Sequence, residues 1–237
     1  MSNLPLSNKN HPKGSQPNPV EGKRIWIFDL DNTLYDADSH VFGQIDLKMG
    51  GYIADLMGIS YDEARIIQKQ YLRDHGTTLK GLMDNHNIDP QEYMDYVHDV
   101  DVSPIKFDKI LKEAIHALEG PKYIFTNGDI AHAERILSRL KMENSFDGVF
   151  DIAQSDFIPK PQQAPYEAMV NHFSINPKDA VMVEDMARNL SPAHHMGMAT
   201  IWLNTGTEWG ALDHEPDHIT HEITDLPQWL DTFVKDQ

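Results

Sequence analysis

Phe28-Asp29-Leu30-Asp31-Asn32-Thr33-Leu34 places two acids, one residue apart, where the apolar run Arg24 to Leu30 gives out. A short apolar run bounded by polar residues reads as a buried strand. On a continuing strand both carboxylates share a face. Burying like charges together is costly unless a cation or a proton intervenes, so the pair points to a divalent metal site or a catalytic dyad.

Outward from this stretch, similar runs recur at Lys122 to Phe125, Val149 to Ile152, Ala180 to Val183 and Ala199 to Leu203. Between the second and third strands, Ile130, Ala133, Ile136, Leu137 and Leu140 line one face of a helix, and Pro165 to Phe173 is a helix before the fourth. Alternating strands and helices imply an α/β fold, a Rossmann-like parallel sheet with helices on both faces. Every strand then ends on one edge, where such sheets bind ligands.

The gap between the first two strands is too long for one crossover helix. Ser60-Tyr61-Asp62-Glu63 is a capping box leading into Ala64, Ile67, Tyr71 and Leu72. Asp89-Pro90-Gln91-Glu92 combines an N-cap with a proline at the first helical position. His40 to Met57 reads as a further helix despite Gly50-Gly51. Residues 37–103 are therefore expected to form an inserted helical domain over the carboxyl edge, with the α/β core made of 23–36 and 104–237. Hinges are expected near Tyr35 to Asp38 and Ser103 to Phe107, and Leu226 to Phe233 is expected to dock on the sheet as a short helix.

The 237-residue chain carries 20 Lys and Arg against 37 Asp and Glu, a net charge of −17, which argues against nucleic-acid or anionic-membrane binding. A small anionic substrate then needs a local positive site or a cation. With no cysteine there is no disulfide, thiolate metal site or Cys nucleophile. No apolar run reaches membrane-spanning length. Residues 1–22, rich in Asn, Pro, Ser and Lys, read as a disordered N-terminal tail without a secretory signal, and a cytoplasmic location is expected. Monomer and homodimer both stay open. His214, His218 and His221 read as a solvated loop rather than a zinc site, since Pro216 interrupts their spacing. Of His194 and His195, one is expected to pack and the other to face water.

Three further features fall at later strand ends. Thr126-Asn127-Gly128 supplies a hydroxyl, an amide and a close-approaching backbone suited to phosphate oxygens. Lys160, between Pro159 and Pro161, offers a positive charge. Glu184-Asp185, with Asn189 four residues beyond Asp185, offers oxygens fit for Mg²⁺.

This ordered set, Asp-x-Asp-x-Thr, a strand-ending Thr, a Lys and an acidic pair, resembles the haloacid dehalogenase superfamily from Lys23 to about Asn204. Phe28 to Tyr35, Gly76-Thr77-Thr78-Leu79-Lys80-Gly81-Leu82, Tyr96-Val97-His98-Asp99 and Ile124 to Gly128 are similar to its pyrimidine 5′-nucleotidase branch. The resemblance implies an aspartyl-phosphate mechanism with Asp29 as nucleophile and Asp31 as acid/base. Mg²⁺ would be held by Asp29, the Asp31 carbonyl and Asp185, with Glu184 assisting. Thr126, Asn127, Gly128 and Lys160 would bind the phosphoryl group. Superfamily dehalogenases lack the second acid, so Asp31 disfavours dehalogenation.

The helical insertion would then be a small cap that selects small phosphorylated metabolites, with Tyr35, Phe42, His75, Thr77, Thr78 and His98 as candidate contacts to the leaving group. For Phe42 and His98, packing is the plainer expectation. A phosphatase for pyrimidine nucleoside 5′-monophosphates is the leading expectation. The alternatives are a phosphoglycolate or sugar-phosphate phosphatase, a related phosphomutase, and an inactive phosphate-binding module.

Overall fold

The computed structural model describes residue 20 and residues 22–236. Strand β1 (Ile25–Phe28) alternates its side chains: Trp26 and Phe28 enter one buried cluster and Ile27 the opposite one, so both faces of the sheet are covered. Four helices follow, α1 (Val41–Met57), α2 (Tyr61–His75), α3 (Thr78–His86) and α4 (Pro90–His98), and then α5 (Lys109–Ala117). Next come β2 (Lys122–Phe125), α6 (Ile130–Leu140), β3 (Gly148–Phe150), α7 (Gln163–Phe173), β4 (Ala180–Glu184), α8 (Leu190–His195), β5 (Ala199–Leu203), β6 (His221–Ile223) and α9 (Leu226–Lys235).

The six strands form one parallel sheet in the order β3-β2-β1-β4-β5-β6. The chain runs outward from β1 to β3, then returns to β4 on the other side of β1. That reversal opens a crevice beyond the carboxyl ends of β1 and β4, the place where doubly wound sheets bind ligands. Helices α5, α6 and α9 cover one face, with Trp26 packed edge-on against Trp229 and Phe233 of α9. Tyr166 and Met169 of α7 and Leu190 and Ala193 of α8 cover the other.

Helices α1–α4 bury a cluster of their own, including Ile45, Ile53, Leu82, Tyr93 and Val97, which Ile152 joins from the loop after β3. Both expected caps form. Ser60 and Glu63 bond reciprocally at the start of α2, and Asp89 accepts from Gln91 and Glu92 ahead of Pro90. The glycine pair does not break α1. A β-carbon at Gly50 would lie 2.8 Å from the Tyr61 ring, so its absence lets α2 approach closely.

The structure corrects five expectations. Strand β1 stops at Phe28, and the backbone turns at once, with the amide N–H of Leu34 donating to the Leu30 carbonyl and Asn32 left-handed at φ 61°. A turn, not a continuing strand, therefore positions Asp29 and Asp31. Val20 is fully buried in the core, although it falls within the expected tail; residues 1–19 and 21 lie outside the described residues. Phe42 is exposed rather than packed, and Ile130 is 43 % exposed while His132 on the same helix is fully buried. His221 lies in the edge strand β6 rather than in a loop. Among the described residues no helix is long and apolar enough to cross a membrane.

Candidate active site

The carboxyl ends of β1, β2 and β4 converge on one buried polar cluster. Asp29 follows β1 directly, its backbone N–H still donating to the Val183 carbonyl of β4 at 2.9 Å. Its two carboxylate oxygens accept from Lys160 Nζ at 2.8 Å and from Thr33 Oγ1 at 3.0 Å. The ammonium of Lys160, 1 % exposed, also donates to Glu184 Oε2 at 2.7 Å and to the Phe125 carbonyl at 2.8 Å, which uses all three of its donors. Burial opposes the Lys160 charge, but attraction to Asp29 and Glu184 outweighs it and holds the amine well above its usual range.

Asp29, Glu184 and Asp185 are buried, each with an oxygen placed so that all three lie within 4.8 Å of one another. Three carboxylates around one lysine leave uncompensated negative charge. Burial, followed by repulsion from Glu184, lifts Asp29 to about 7, and the same causes push Asp185 well above the usual carboxylate range. An all-oxygen donor set with excess negative charge fits a hard divalent cation such as Mg²⁺. Glu184 is otherwise engaged, since Lys160 holds Oε2 and the Met186 N–H donates to Oε1 at 3.1 Å.

Asp31 is treated differently. Its Oδ1 accepts from the Tyr35 hydroxyl at 2.6 Å and from His132 Nε2 at 2.7 Å. Burial alone would raise its pKa, but His132, by charge and hydrogen bond, and then Tyr35 bring it down to about 2. Thr126 is buried, its Oγ1 accepting from the Gly128 N–H at 2.9 Å. The Asn127 amide is occupied with the Lys160 backbone, accepting from its N–H at 2.9 Å and donating to its carbonyl at 3.3 Å. Asn127 thus fixes the lysine loop. Gly128 sits where a β-carbon would be 3.3 Å from Thr126 Oγ1 and 3.7 Å from Asp31 Oδ2.

The residues named above for the leaving group scatter. Tyr35 is bound to Asp31, Thr77 caps α3, Thr78 is buried, and His98 is buried 3.3 Å from Asp129. His75 pairs with Asp84 in a cleft of about 510 Å³ between α2–α3 and the loops following β3 and β4. Phe42 faces outward. Asn189 is buried, its backbone carbonyl accepting from Tyr166.

Two residues carry contacts that the pattern of apolar positions did not point to. Arg188 donates to the Leu72 and Gly76 carbonyls at the end of α2, joining the β4 loop to the inserted helices. His132 looked like a polar interruption on an amphipathic helix; Asp129, an N-cap residue three positions earlier, was the available sign that its turn begins at the site.

The sequence matches haloacid dehalogenase-like hydrolases over residues 24–197. Phosphate metabolism protein 8 of Saccharomyces cerevisiae is 27 % identical over 203 residues, an alignment covering 78 % of this chain and 63 % of that protein. Among solved structures, a HAD phosphatase from Thermococcus onnurineus superposes with a TM-score of 0.60 at 18 % identity, covering 89 % of this chain and 97 % of that one. The L-2-haloacid dehalogenase RSc1362 does so with a TM-score of 0.58 at 17 % identity, covering 90 % and 99 %. Phosphatase and dehalogenase share the architecture about equally, so the likeness shows the fold and leaves the chemistry to the side chains. On a match that spans most of its length, this chain belongs to the haloacid dehalogenase-like hydrolases.

Proposed function

We propose that the protein is a Mg²⁺-dependent phosphomonoesterase acting through Asp29 on small phosphorylated metabolites, with pyrimidine nucleoside 5′-monophosphates as its preferred substrates. The observation that carries the reading is the pairing of Asp29, beside Lys160 and the Glu184–Asp185 acids, with a second acid, Asp31, held by its own donors. Dehalogenation has no use for that second acid. The yeast relative's name, Phosphate metabolism protein 8, agrees with phosphate chemistry.

Asp29, the Asp31 carbonyl and Asp185 would hold Mg²⁺, with Glu184 acting from behind because both its oxygens are engaged. Bound there, the cation supplies charge neutralisation that lets a carboxylate approach a phosphate anion. In its absence the two aspartates are shifted in the opposite sense to their roles, burial and Glu184 raising Asp29 while His132 and Tyr35 lower Asp31. A nearby cation favours ionised Asp29, while an incoming phosphate dianion beside Asp31 raises that group and so favours the protonated form from which it must act.

An Asp29 oxygen then attacks phosphorus as the bond to the leaving oxygen breaks, and Asp31 gives that oxygen its proton. In the second half Asp31, now a carboxylate, takes a proton from water, whose oxygen attacks phosphorus and releases Asp29. The Thr126-Asn127-Gly128 loop would meet the phosphoryl oxygens, and Lys160, its three donors held by Asp29, Glu184 and the Phe125 carbonyl, would act on them through its charge. Helices α1–α4 act as the cap over this edge and exclude bulk water.

Metal binding has a pH signature. A folded-state pKa near 7 for Asp29, raised from 3.8, means that the metal-free protein loses stability as pH climbs from about 4 to about 7, because unfolding lets the acid ionise freely. Below that value Mg²⁺ must displace a proton. The rise in Tm on adding Mg²⁺ is therefore expected to be larger at pH 8 than at pH 6; equal shifts, or none, would remove the buried acids as the metal site.

Substrate preference is tested by phosphate release from UMP, CMP, TMP, AMP, GMP, phosphoglycolate and glucose phosphates, with Mg²⁺ and with chelator. The expected result is Mg²⁺-dependent release favouring the pyrimidine nucleotides. Preference for phosphoglycolate or a sugar phosphate would keep the chemistry and overturn the nucleotide assignment. Silence toward every substrate would favour a binding module.

A further inference from the structure

The last residue of α4, His98, docks on the first turns of α6 through three contacts. Its ring stacks on His132 with centroids 4.3 Å apart and planes 11° apart. Its Nδ1 lies 3.3 Å from Asp129 Oδ2, and its backbone carbonyl accepts from Arg135. Asp129, His132 and Arg135 recur at intervals of three on α6, so one helical face receives the whole joint.

That face is rooted at the site. Helix α6 begins directly after Thr126-Asn127-Gly128, and Asp129 caps it by accepting from the His132 N–H at 2.7 Å. His132 is fully buried and reaches back to Asp31 Oδ1 at 2.7 Å, while its Nδ1 has no hydrogen-bond partner. A buried imidazole with an unsatisfied nitrogen is costly to the fold. Apolar packing alone would be served better by an aromatic or aliphatic side chain.

Resting on the phosphatase reading above, we propose that His132 is a positioning residue for the acid/base Asp31, kept in place by the stack with His98 from the inserted helices. Two donors, Nε2 of His132 and the Tyr35 hydroxyl, converge on Oδ1 and fix the carboxyl rotamer. Oδ2 lies beside Gly128, 3.7 Å from where a β-carbon on that residue would stand. Proton transfer requires the acid within hydrogen-bond reach of the leaving oxygen, so a carboxyl free to rotate loses this step first. The stack makes that alignment depend on where the end of α4 sits. The inserted helices thus reach the acid/base through His98 and His132.

Leaving-group dependence separates this role from a merely structural one. Nitrophenolate departs without a proton, whereas an alkoxide needs one. The first half-reaction is read under single-turnover conditions with enzyme in excess, using p-nitrophenyl phosphate and the alkyl phosphate that the wild-type protein cleaves fastest. His132→Phe keeps the volume and the stack but removes the donor. It is expected to slow alkyl-phosphate cleavage on the order of 100-fold and nitrophenolate release far less.

His132→Gln, which restores an N–H donor, is expected to recover part of the alkyl rate. His98→Ala is expected to lower the alkyl rate selectively but by a smaller factor. Equal losses on both substrates, or none, in His132→Phe would overturn the proposal, and an unchanged His98→Ala would overturn the link to α4. Should His132→Phe fail to fold, His132→Asn, whose shorter amide cannot reach Asp31, decides by the same ratio. A wild-type protein that cleaves neither substrate overturns the phosphatase reading itself, an outcome distinct from wild-type turnover with no leaving-group effect.

Discussion

Asp29→Asn abolishes phosphate release, by about 10⁴-fold or more, without lowering the melting temperature of the metal-free protein. The nucleophile is lost because a neutral amide oxygen does not form the acyl phosphate, whereas shape is kept. Stability is spared for an electrostatic reason. Burial and the neighbouring Glu184 already penalise the Asp29 charge, so removing it relieves repulsion within the acidic cluster. The Thr33 hydroxyl and Lys160 still meet a polar side chain there. Activity assays and thermal melts on the same preparation check both halves. Substantial residual turnover in the variant would remove Asp29 from the mechanism.

Lys160→Ala has the opposite profile, costing the fold as well as the chemistry. Its ammonium bridges Asp29, Glu184 and the Phe125 carbonyl from a position 1 % exposed, and truncation strands two buried carboxylates and a carbonyl. Breaking a buried ion pair from one side costs about 3–5 kcal/mol, which for a chain of this size lowers Tm on the order of 10 °C. Loss of the positive charge beside the phosphoryl group removes a further 10²–10³-fold of rate, on the order seen when one oxyanion donor is deleted. Added Mg²⁺ is expected to return part of the stability and little of the activity. Wild-type melting together with wild-type activity in this variant would show that the phosphate lies elsewhere.

Much of the fold was legible because strands buried on both faces are written as short apolar runs: Lys122–Phe125 and Ala199–Leu203 form as read. Edge strand β6 was not, since His221, half-buried, and Glu222, exposed, carry no apolar signal. The same limit applies within α6. Periodicity assigned Ile130 to the buried face, yet the helix starts at the site, where a polar residue, His132, is the one enclosed. Asp29, Thr126 and Asp185 could be named from their positions at strand ends, which the topology carries to one edge, whereas Asp31 sits in the turn after β1 and Lys160 in the loop after β3, and both were named from the ordered pattern.

What Asn127 does could not be read that way. Its amide holds the backbone of a residue 33 positions away, a contact set by loop geometry rather than by local pattern. Nor could the route from α4 through His98 and His132 to Asp31, which depends on how the inserted helices pack.

The central claim is that a phosphoryl group passes through Asp29. It is tested most directly by acid-quenching the wild-type protein during turnover of a phosphate-labelled substrate with Mg²⁺ and mapping the labelled peptide. The prediction is a base-labile phosphoryl label on Asp29 that is absent with chelator and absent in Asp29→Asn. Turnover that continues while the label sits on another residue, or on none, would contradict it.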